Sequence, residues 1–220
     1  MPSKRFADRR EAGRALGARL TGAVHGEVVV LGLPRGGVVV AYEVARALAA
    51  PLDVLVVRKL GLPWQPELAM GAIAAVGDVV ETVRAEAVLA SADVDDATFE
   101  TVRARELAEL RRRETAYRGD RPAVPLTGRV VVLVDDGLAT GSTMRAAVVA
   151  ARRQGPAGVT VAVPIGSPGA CAALAAEVDE LVCLWAPGSF RAVGQGYDDF
   201  TATSDEEVRA ALGAEPPDAV

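Results

Sequence analysis

Apolar runs rich in β-branched residues alternate along the chain with segments whose apolar residues recur every three or four positions. Continuous apolar runs are typical of strands buried in parallel sheets, and the longer repeat is typical of helices packed on them. The predicted strands are EVVVLGL at 27–33, LDVLVV at 52–57, RVVVLV at 129–134, VTVAVPI at 159–165 and ELVCLW at 180–185. Helices are predicted from the N-cap Asp8 to about Leu20, and over 38–50, 142–154 and 167–178. The alternation predicts an α/β fold, a mainly parallel sheet flanked by helices on both faces, with ligands at the carboxyl ends of the strands.

Two segments interrupt this alternation. RKLGLPWQPELAMGA at 58–72 contains two prolines and two glycines, which predicts a turn-rich loop long enough to move. Residues 93–119 are acidic at the start and basic later, with apolar residues spaced as in a mostly exposed helix. The RRR at 111–113 is interpreted as a solvated helix face, with a partner-binding surface as the alternative. We therefore expect a single domain over 1–220 with a helical insertion over about 84–122.

Composition restricts the classes of ligand and compartment. The chain has 220 residues, half of them hydrophobic, which is enough for a sizeable core. Its net charge of −5 argues against a nucleic-acid-coating surface, so a polyanion would have to be held by local features. No apolar run is long enough to span a membrane, and the first residues have no apolar signal core. Cys171 and Cys183 lie outside any metal-binding spacing. We expect a cytoplasmic protein with no membrane or nucleic-acid partner.

The stretch VVVLVDDGLATGST at 130–143 carries the candidate chemistry. Its strand delivers Asp135 and Asp136 to the sheet edge, just before a helix that begins near Ser142. The glycines in the turn allow close approach of the backbone, and the hydroxyls and the helix N-terminus favour an anion. Carboxylates are poor partners for phosphate but good acceptors for the vicinal hydroxyls of a ribose. Together the two halves predict a site for a sugar phosphate.

Competing motifs fit this stretch less well. A P-loop needs G-x-x-x-x-G-K-[ST], and GLATGST at 137–143 lacks both the lysine and the glycine spacing. The dinucleotide fingerprint G-x-G-x-x-G is absent here and in GLPRGG at 32–37. A phosphoryl-accepting receiver domain also places acids after a strand, but the rest of its pattern does not follow Asp135. An ordinary acidic turn between strand and helix stays open as an alternative.

The sequence VVVLVDDGLATGSTM resembles the binding motif for 5-phosphoribosyl 1-pyrophosphate (PRPP) in type I phosphoribosyltransferases. The resemblance implies that Asp135 and Asp136 hold the ribose hydroxyls and that the following turn holds the 5′-phosphate. The turn residues to which this role carries over are Gly137, Ala139, Thr140, Gly141, Ser142 and Thr143.

Two further segments are similar to the pyrophosphate-binding parts of that family. GLPRGG resembles its pyrophosphate loop, which implies that Arg35 and Gly36 contact the leaving group. Arg58 and Lys59 stand where the family commonly keeps a basic residue facing pyrophosphate, and 60–72 corresponds to its flexible catalytic lid. A plain surface turn at PRGG and solvated side chains at 58 and 59 are the alternatives. The resemblance implies catalytic roles for Asp135, Asp136, Arg35 and Lys59.

The C-terminal PGSFRAVGQGYDDF, part of a predicted small hood over about 185–212, resembles the hood of purine-salvage members. The resemblance implies that Phe190 stacks on the acceptor and that Asp198 binds Mg²⁺. A core position for Phe190 and a turn position for Asp198 are the alternatives.

Departures from the family concern the acceptor. Hypoxanthine-guanine enzymes carry an acid at the position of Ala139, and their lysine for the 6-oxo group would fall near Val163 or Pro164. We therefore expect hypoxanthine and guanine to be poor substrates. The predicted reaction transfers the phosphoribosyl group from PRPP to a nitrogen acceptor, with Mg²⁺ and release of pyrophosphate. The alternative is a PRPP- or nucleotide-sensing module without transfer activity. The acceptor and a homo-oligomeric state are left open.

Overall fold

A computed structural model describes residues 5–77 and 79–213 of the chain. Within these ranges a parallel sheet has the strand order β2-β1-β6-β7-β8, and a separate antiparallel sheet has the order β3-β4-β5. The strands are β1 Val28–Gly32, β2 Leu52–Val54, β3 Val56–Leu62, β4 Gln65–Val76, β5 Val79–Arg84, β6 Val130–Val134, β7 Gly158–Ile165 and β8 Glu180–Trp185. The predicted α/β fold with a parallel sheet is confirmed. The ends of the predicted single domain, 1–4 and 214–220, lie outside the described residues.

The helices of the described ranges follow the predicted alternation. They are α1 Arg9–Leu20, α2 Gly36–Leu48, α3 Glu86–Ser91, α4 Asp96–Arg118, α5 Ser142–Arg152, α6 Pro168–Ala175 and α7 Asp205–Gly213, with a 3₁₀ helix at Val193–Gly196. Asp8 caps α1 as predicted, since its carboxylate accepts from the backbone N–H of Glu11 over 2.8 Å. None of the helices described here is long and apolar enough to cross a membrane.

The parallel sheet is buried because its strands are almost continuously apolar. Val29, Val30 and Leu31 of β1 have no exposed surface, and the same holds for the middle of β6. α1 packs closely on α2, where a Cβ atom at Gly13 would lie 2.7 Å from the carbonyl oxygen of Val40. The two helices thereby cover the sheet beside the carboxyl end of β1.

The segment predicted as a mobile loop over 60–72 is instead a β-hairpin, and that prediction is wrong. β3 and β4 pair antiparallel, with a register shift at Gly61. Leu60, Leu62 and Met70 are buried, so the hairpin contributes to the core. A Cβ at Gly61 would overlap the backbone carbonyl of Pro66, which explains the glycine. The prolines and glycines shape the turn and a bulge and do not end the strands.

The helices α3 and α4 lie within 84–122, the range of the predicted helical insertion, and α4 is less exposed than predicted. Phe99, Val102 and Leu110 of α4 are buried against the antiparallel sheet and α7. Near its end, the guanidinium of Arg118 donates to Oδ1 of Asp53 over 3.0 Å in a buried ion pair. This pair fixes the insertion to the parallel sheet.

Candidate active site

The carboxyl end of β6 carries the predicted acid pair. Asp135 and Asp136 directly follow Val134, and both are half-buried. The backbone N–H of Asp136 donates to Oδ1 of Asp135 over 2.8 Å. Burial raises the pKa of both carboxyls, and the Asp136 carboxylate raises the pKa of Asp135 further. Because burial reduces the contact of these oxygens with water, hydrogen bonds from a ligand's hydroxyls would be favourable there.

The turn after the acid pair is anchored to the end of the neighbouring strand. The backbone N–H of Leu138 donates to the carbonyl of Ile165 over 2.9 Å, and the carbonyl of Leu138 accepts from the N–H of Ser167 over 2.8 Å. The Ser167 hydroxyl donates to the carbonyl of Ala139 over 2.6 Å. The turn is therefore held in place by three hydrogen bonds with the segment that ends β7.

The same turn ends at the N-terminus of α5, where an anion is favoured. Gly141 is the N-cap, with a φ of +81° that glycine adopts without strain. The hydroxyl oxygens of Thr140 and Ser142 lie 3.2 Å apart, and both residues are exposed. The first N–H groups of a helix lack partners within it, so this end can bind a phosphate together with the hydroxyls.

The loop after β1 packs directly onto the acid pair. A Cβ at Gly37 would lie 2.8 Å from the Cα of Asp135, and a Cβ at Gly36 would overlap Oδ2 of Asp136. Only glycine allows the loop to come this close. The structure thus brings together two segments that lie about a hundred residues apart in the sequence.

Arg35 stands on this loop, after a cis peptide bond from Pro34, and is the N-cap residue of α2. Its side chain is 48% exposed, and Nη1 lies 3.8 Å from Oδ1 of Asp205 in α7. An exposed ion pair of this length contributes little, so an anionic ligand can replace Asp205 as the partner of Arg35.

The predicted basic pair lies within β3 and is divided between two environments. Lys59 is exposed and borders a cavity of about 180 Å³ that also touches Ser142 and Arg145 of α5. Arg58 instead donates through Nε and Nη2 to Oε2 of Glu106 in α4, over 2.9 and 2.5 Å. Lys59 therefore lies beside the turn at 137–143, called the phosphate turn below after its predicted ligand, whereas the Arg58 guanidinium is engaged by the helical insertion.

The predicted hood residues lie at the edge of the site. Phe190 is half-buried and packs against a cluster that contains Phe6 and Tyr197, in line with the alternative core position. Asp198 has a side chain that is 63% exposed and lies 3.5 Å from Nη1 of Arg5. Within the described ranges, no group of three or more His, Cys, Asp or Glu side chains is arranged to hold a metal ion. The role of Asp198 as a Mg²⁺ ligand, which the resemblance implies, stays a prediction.

Two residues at the site were missed by the sequence analysis. Nε of Arg9 donates to Oδ2 of Asp136 over 2.8 Å, and the hydroxyl of Tyr197 donates to the backbone carbonyl of Asp136 over 2.6 Å. Arg9 begins α1, where the helix dipole disfavours a cation. That misplaced charge was the available signal for Arg9. The sequence contained no signal for Tyr197 beyond its place in the hood.

The fold and the acid pair with its turn are consistent with a phosphoribosyl transferase domain. The family model described as "Phosphoribosyl transferase domain" matches residues 9–184, and the chain belongs to this family. The resemblance to type I phosphoribosyltransferases is thereby confirmed.

Individual relatives are consistent with this class. Two proteins from Mycobacterium tuberculosis strains, CDC 1551 / Oshkosh and H37Rv, are provisionally named phosphoribosyl transferases and are each 53% identical over 209 residues, covering 95% of this chain. The chain spans 46% of the length of these relatives. The crystal structure of TT1426 from Thermus thermophilus is 47% identical, covers 94% of this chain and 97% of its own, and superposes with a TM-score of 0.82.

Proposed function

We propose that the protein transfers the 5-phosphoribosyl group of PRPP to a nitrogen acceptor with release of pyrophosphate. The observation that carries the proposal is the contact of Gly36 and Gly37 with Asp136 and Asp135. The loop proposed to bind the leaving group thus contacts the two acids proposed to bind the ribose, and the phosphate turn directly follows those acids. A ligand that carries a phosphate, vicinal hydroxyls and a diphosphate has groups to match all three.

The proposed roles follow from these positions. Asp135 and Asp136 accept hydrogen bonds from the ribose hydroxyls, and the 137–143 turn holds the 5′-phosphate. The side chains of Arg35 and Lys59 stabilise the negative charge that the departing pyrophosphate gains. The bond from the anomeric carbon to the pyrophosphate oxygen breaks, and its electron pair leaves with pyrophosphate. A bond from that carbon to the acceptor nitrogen forms, and the proton of the acceptor N–H is released to water. Positive charge that develops on the sugar in between is stabilised by the two carboxylates.

The proposed reaction includes Mg²⁺. In proteins Mg²⁺ is commonly held by one or two carboxylates together with the substrate's phosphates and several waters. A cation carried by PRPP itself would supply charge neutralisation for the departing pyrophosphate. The proposed transfer does not require Asp198, whose exposed carboxylate lies 3.5 Å from Nη1 of Arg5. A cytoplasmic location likewise stays a prediction.

A second candidate function is a PRPP- or nucleotide-sensing module. The pairing of Arg58 with Glu106 favours it, since that guanidinium contributes to the packing of α4 and not to a leaving-group site. Arg35 and the exposed Lys59 favour the enzyme, because a sensor can do without leaving-group contacts. The two functions share fold and ligand and differ only in turnover.

The experiment that separates them measures release of pyrophosphate from PRPP and Mg²⁺ in the presence of nucleobases or amines. We expect turnover with at least one acceptor and poor turnover with hypoxanthine and guanine, since Ala139 has no proton-accepting group and Val163 is buried and apolar. Efficient use of guanine would contradict the interpretation of the acceptor side. Tight PRPP binding with no turnover for any acceptor would favour the sensor.

A further inference from the structure

The side chain of Arg9 is fixed by three contacts with two different parts of the chain. Its Nε donates to Oδ2 of Asp136 over 2.8 Å, and its Nη1 donates to the carbonyl of Thr201 over 2.8 Å. Its Cζ atom lies 4.0 Å from the centroid of the Phe200 ring, a distance typical of a cation–π contact. Only 11% of the side chain is exposed. Such restraint leaves Arg9 little freedom to adopt another position.

The contrast with Arg10 shows that this arrangement is specific. Arg10 is the next residue of the same helix, is 53% exposed, and lies 3.3 Å from Oε1 of Glu43 on α2. A cation in the first turn of a helix is disfavoured by the helix dipole. The position of Arg9 is therefore explained by its contact with Asp136 and not by a benefit to α1.

The space for this contact is made by Gly36. A Cβ there would lie 2.5 Å from Nε of Arg9 and would also overlap Oδ2 of Asp136. The loop after β1, the acid pair and α1 thus meet at one carboxylate oxygen. Any side chain at position 36 would separate Arg9 from Asp136.

We propose that Arg9 is a positioning residue for the phosphoribosyl site, holding Oδ2 of Asp136 so that the other carboxylate oxygen faces a ribose hydroxyl. The inference rests on the proposed function, because it assigns the hydroxyl-accepting role to Asp136. Arg9 acts through Asp136 and needs no contact with the ligand. It also couples this carboxylate to Phe200 and Thr201 of the hood.

The charges around Asp136 give the positioning role a second consequence. Among the described residues, the titratable groups that face it are Asp135 on its own segment, Arg9 on α1 and Tyr197 in the hood. Burial raises the pKa of Asp136, and the Arg9 guanidinium opposes that rise. Without Arg9, the carboxylate would take up a proton at a higher pH and would lose its capacity as an acceptor sooner on acidification.

The test compares two probes by calorimetry, ribose 5-phosphate and inorganic phosphate. Ribose 5-phosphate engages both the acids and the turn, whereas inorganic phosphate has no hydroxyls for the acids to accept. Arg9→Gln should lower the affinity for ribose 5-phosphate about tenfold or more and leave that for phosphate unchanged. Arg9→Lys should recover part of the loss. The pH below which ribose 5-phosphate binding declines should be higher in Arg9→Gln than in the wild type.

Arg14→Gln is the matched control, because it removes one charge from a 60% exposed position of the same helix. It should bind both probes as the wild type does. Equal losses for both probes in Arg9→Gln, or no loss for either, would overturn the positioning role. Should Arg9→Gln fail to fold, Phe200→Leu removes the ring beneath the guanidinium and should lower only the ribose 5-phosphate affinity. An unchanged affinity there would also overturn the role. A wild type that does not bind ribose 5-phosphate would contradict the proposed function itself.

Discussion

The hydroxyl of Tyr197 donates a 2.6 Å hydrogen bond to the backbone carbonyl of Asp136 and so joins the hood to the acid pair. The tyrosine is 2% exposed, and burial raises the pKa of its hydroxyl. The hydroxyl therefore stays protonated, and remains a donor, across the physiological range. A Cβ at Gly137 would overlap the side chain of Val193 in the hood. The hood thus packs on the segment that begins the phosphate turn.

Tyr197→Phe should weaken this connection without removing the ring. The carbonyl of Asp136 would lose its donor, and we expect the free energy of unfolding to fall by about 1–3 kcal/mol. Chemical denaturation measures that change. The affinity for ribose 5-phosphate should fall as well, because the acid pair is less firmly held. Tyr42→Phe, on α2, is the comparison, and an equal effect of the two substitutions would argue against a special role for Tyr197.

Gly36→Ala should damage the site through a steric effect. The added methyl group would overlap Oδ2 of Asp136, so we expect a loss of stability of about 1–3 kcal/mol and a clear loss of pyrophosphate and ribose 5-phosphate affinity. The control is Gly169→Ala in α6, where a Cβ meets nothing within 4 Å. That substitution should be neutral or stabilise by about 0.5–1 kcal/mol. Similar melting temperatures for the two variants would show that the contact with Asp136 is unimportant.

The two residues of the predicted basic pair should respond differently to removal of their charge. Lys59→Gln should lower the affinity for pyrophosphate with little change in stability, because Lys59 is exposed beside the phosphate turn. Arg58→Gln should lower the free energy of unfolding by about 1.5–3 kcal/mol, since Oε2 of Glu106 would lose its charged donor while Arg105 still pairs with Oε1. Calorimetry with pyrophosphate and chemical denaturation separate the two effects. The reverse pattern would support the predicted role of Arg58 in pyrophosphate binding.

Arg35 should serve the leaving group more than the sugar phosphate, because it stands on a different strand end from the phosphate turn. Arg35→Ala is expected to weaken pyrophosphate binding about tenfold or more and ribose 5-phosphate binding much less. Titration of both ligands into the same variant measures the difference. Equal losses would place Arg35 on the sugar phosphate as well.

The acid pair should lower the stability of the protein at neutral pH. The folded-state pKa of Asp135 is raised, so between its unfolded and folded pKa values the folded state binds more protons, and stability falls as pH rises through that window. Asp135→Asn removes the buried charge and should raise the melting temperature at pH 7, with about 2–4 °C for each kcal/mol recovered. The gain should disappear at acidic pH, where the wild-type carboxyl is protonated. A gain that does not vary with pH would contradict this explanation.

Much of the fold was predictable because local patterns and tertiary burial agree. The valine-rich runs at β1 and β6 are buried on both faces, and the Asp8 cap starts α1 as its sequence indicates. The hairpin of β3 and β4 was not predictable in this way, because Pro63 and Pro66 are turn signals locally. Its strands are stabilised by contacts with α4, a helix more than twenty residues away in the sequence.

The residues of the candidate site differ in the same way in how far they could be predicted from the sequence. Asp135, Asp136 and the turn after them are adjacent in sequence, so one motif revealed them together. The pairing of Arg58 with Glu106 and of Arg9 with Asp136 joins residues 48 and 127 positions apart. Such pairs are set by the packing of α4 and α1, which no local pattern encodes. For this reason the sequence indicated the acid pair but not the arginine that donates to Asp136.

The most direct measurement of the central claim is the calorimetric titration of PRPP with Mg²⁺ into the wild type and into the double variant Asp135→Asn with Asp136→Asn. We predict saturable binding to the wild type that ribose 5-phosphate competes away, and a loss of about a hundredfold or more in the double variant, because amides at these positions carry no charge. Circular dichroism would establish that the variant is folded. An unchanged affinity in a folded double variant would contradict the assignment of the phosphoribosyl site to the carboxyl end of β6.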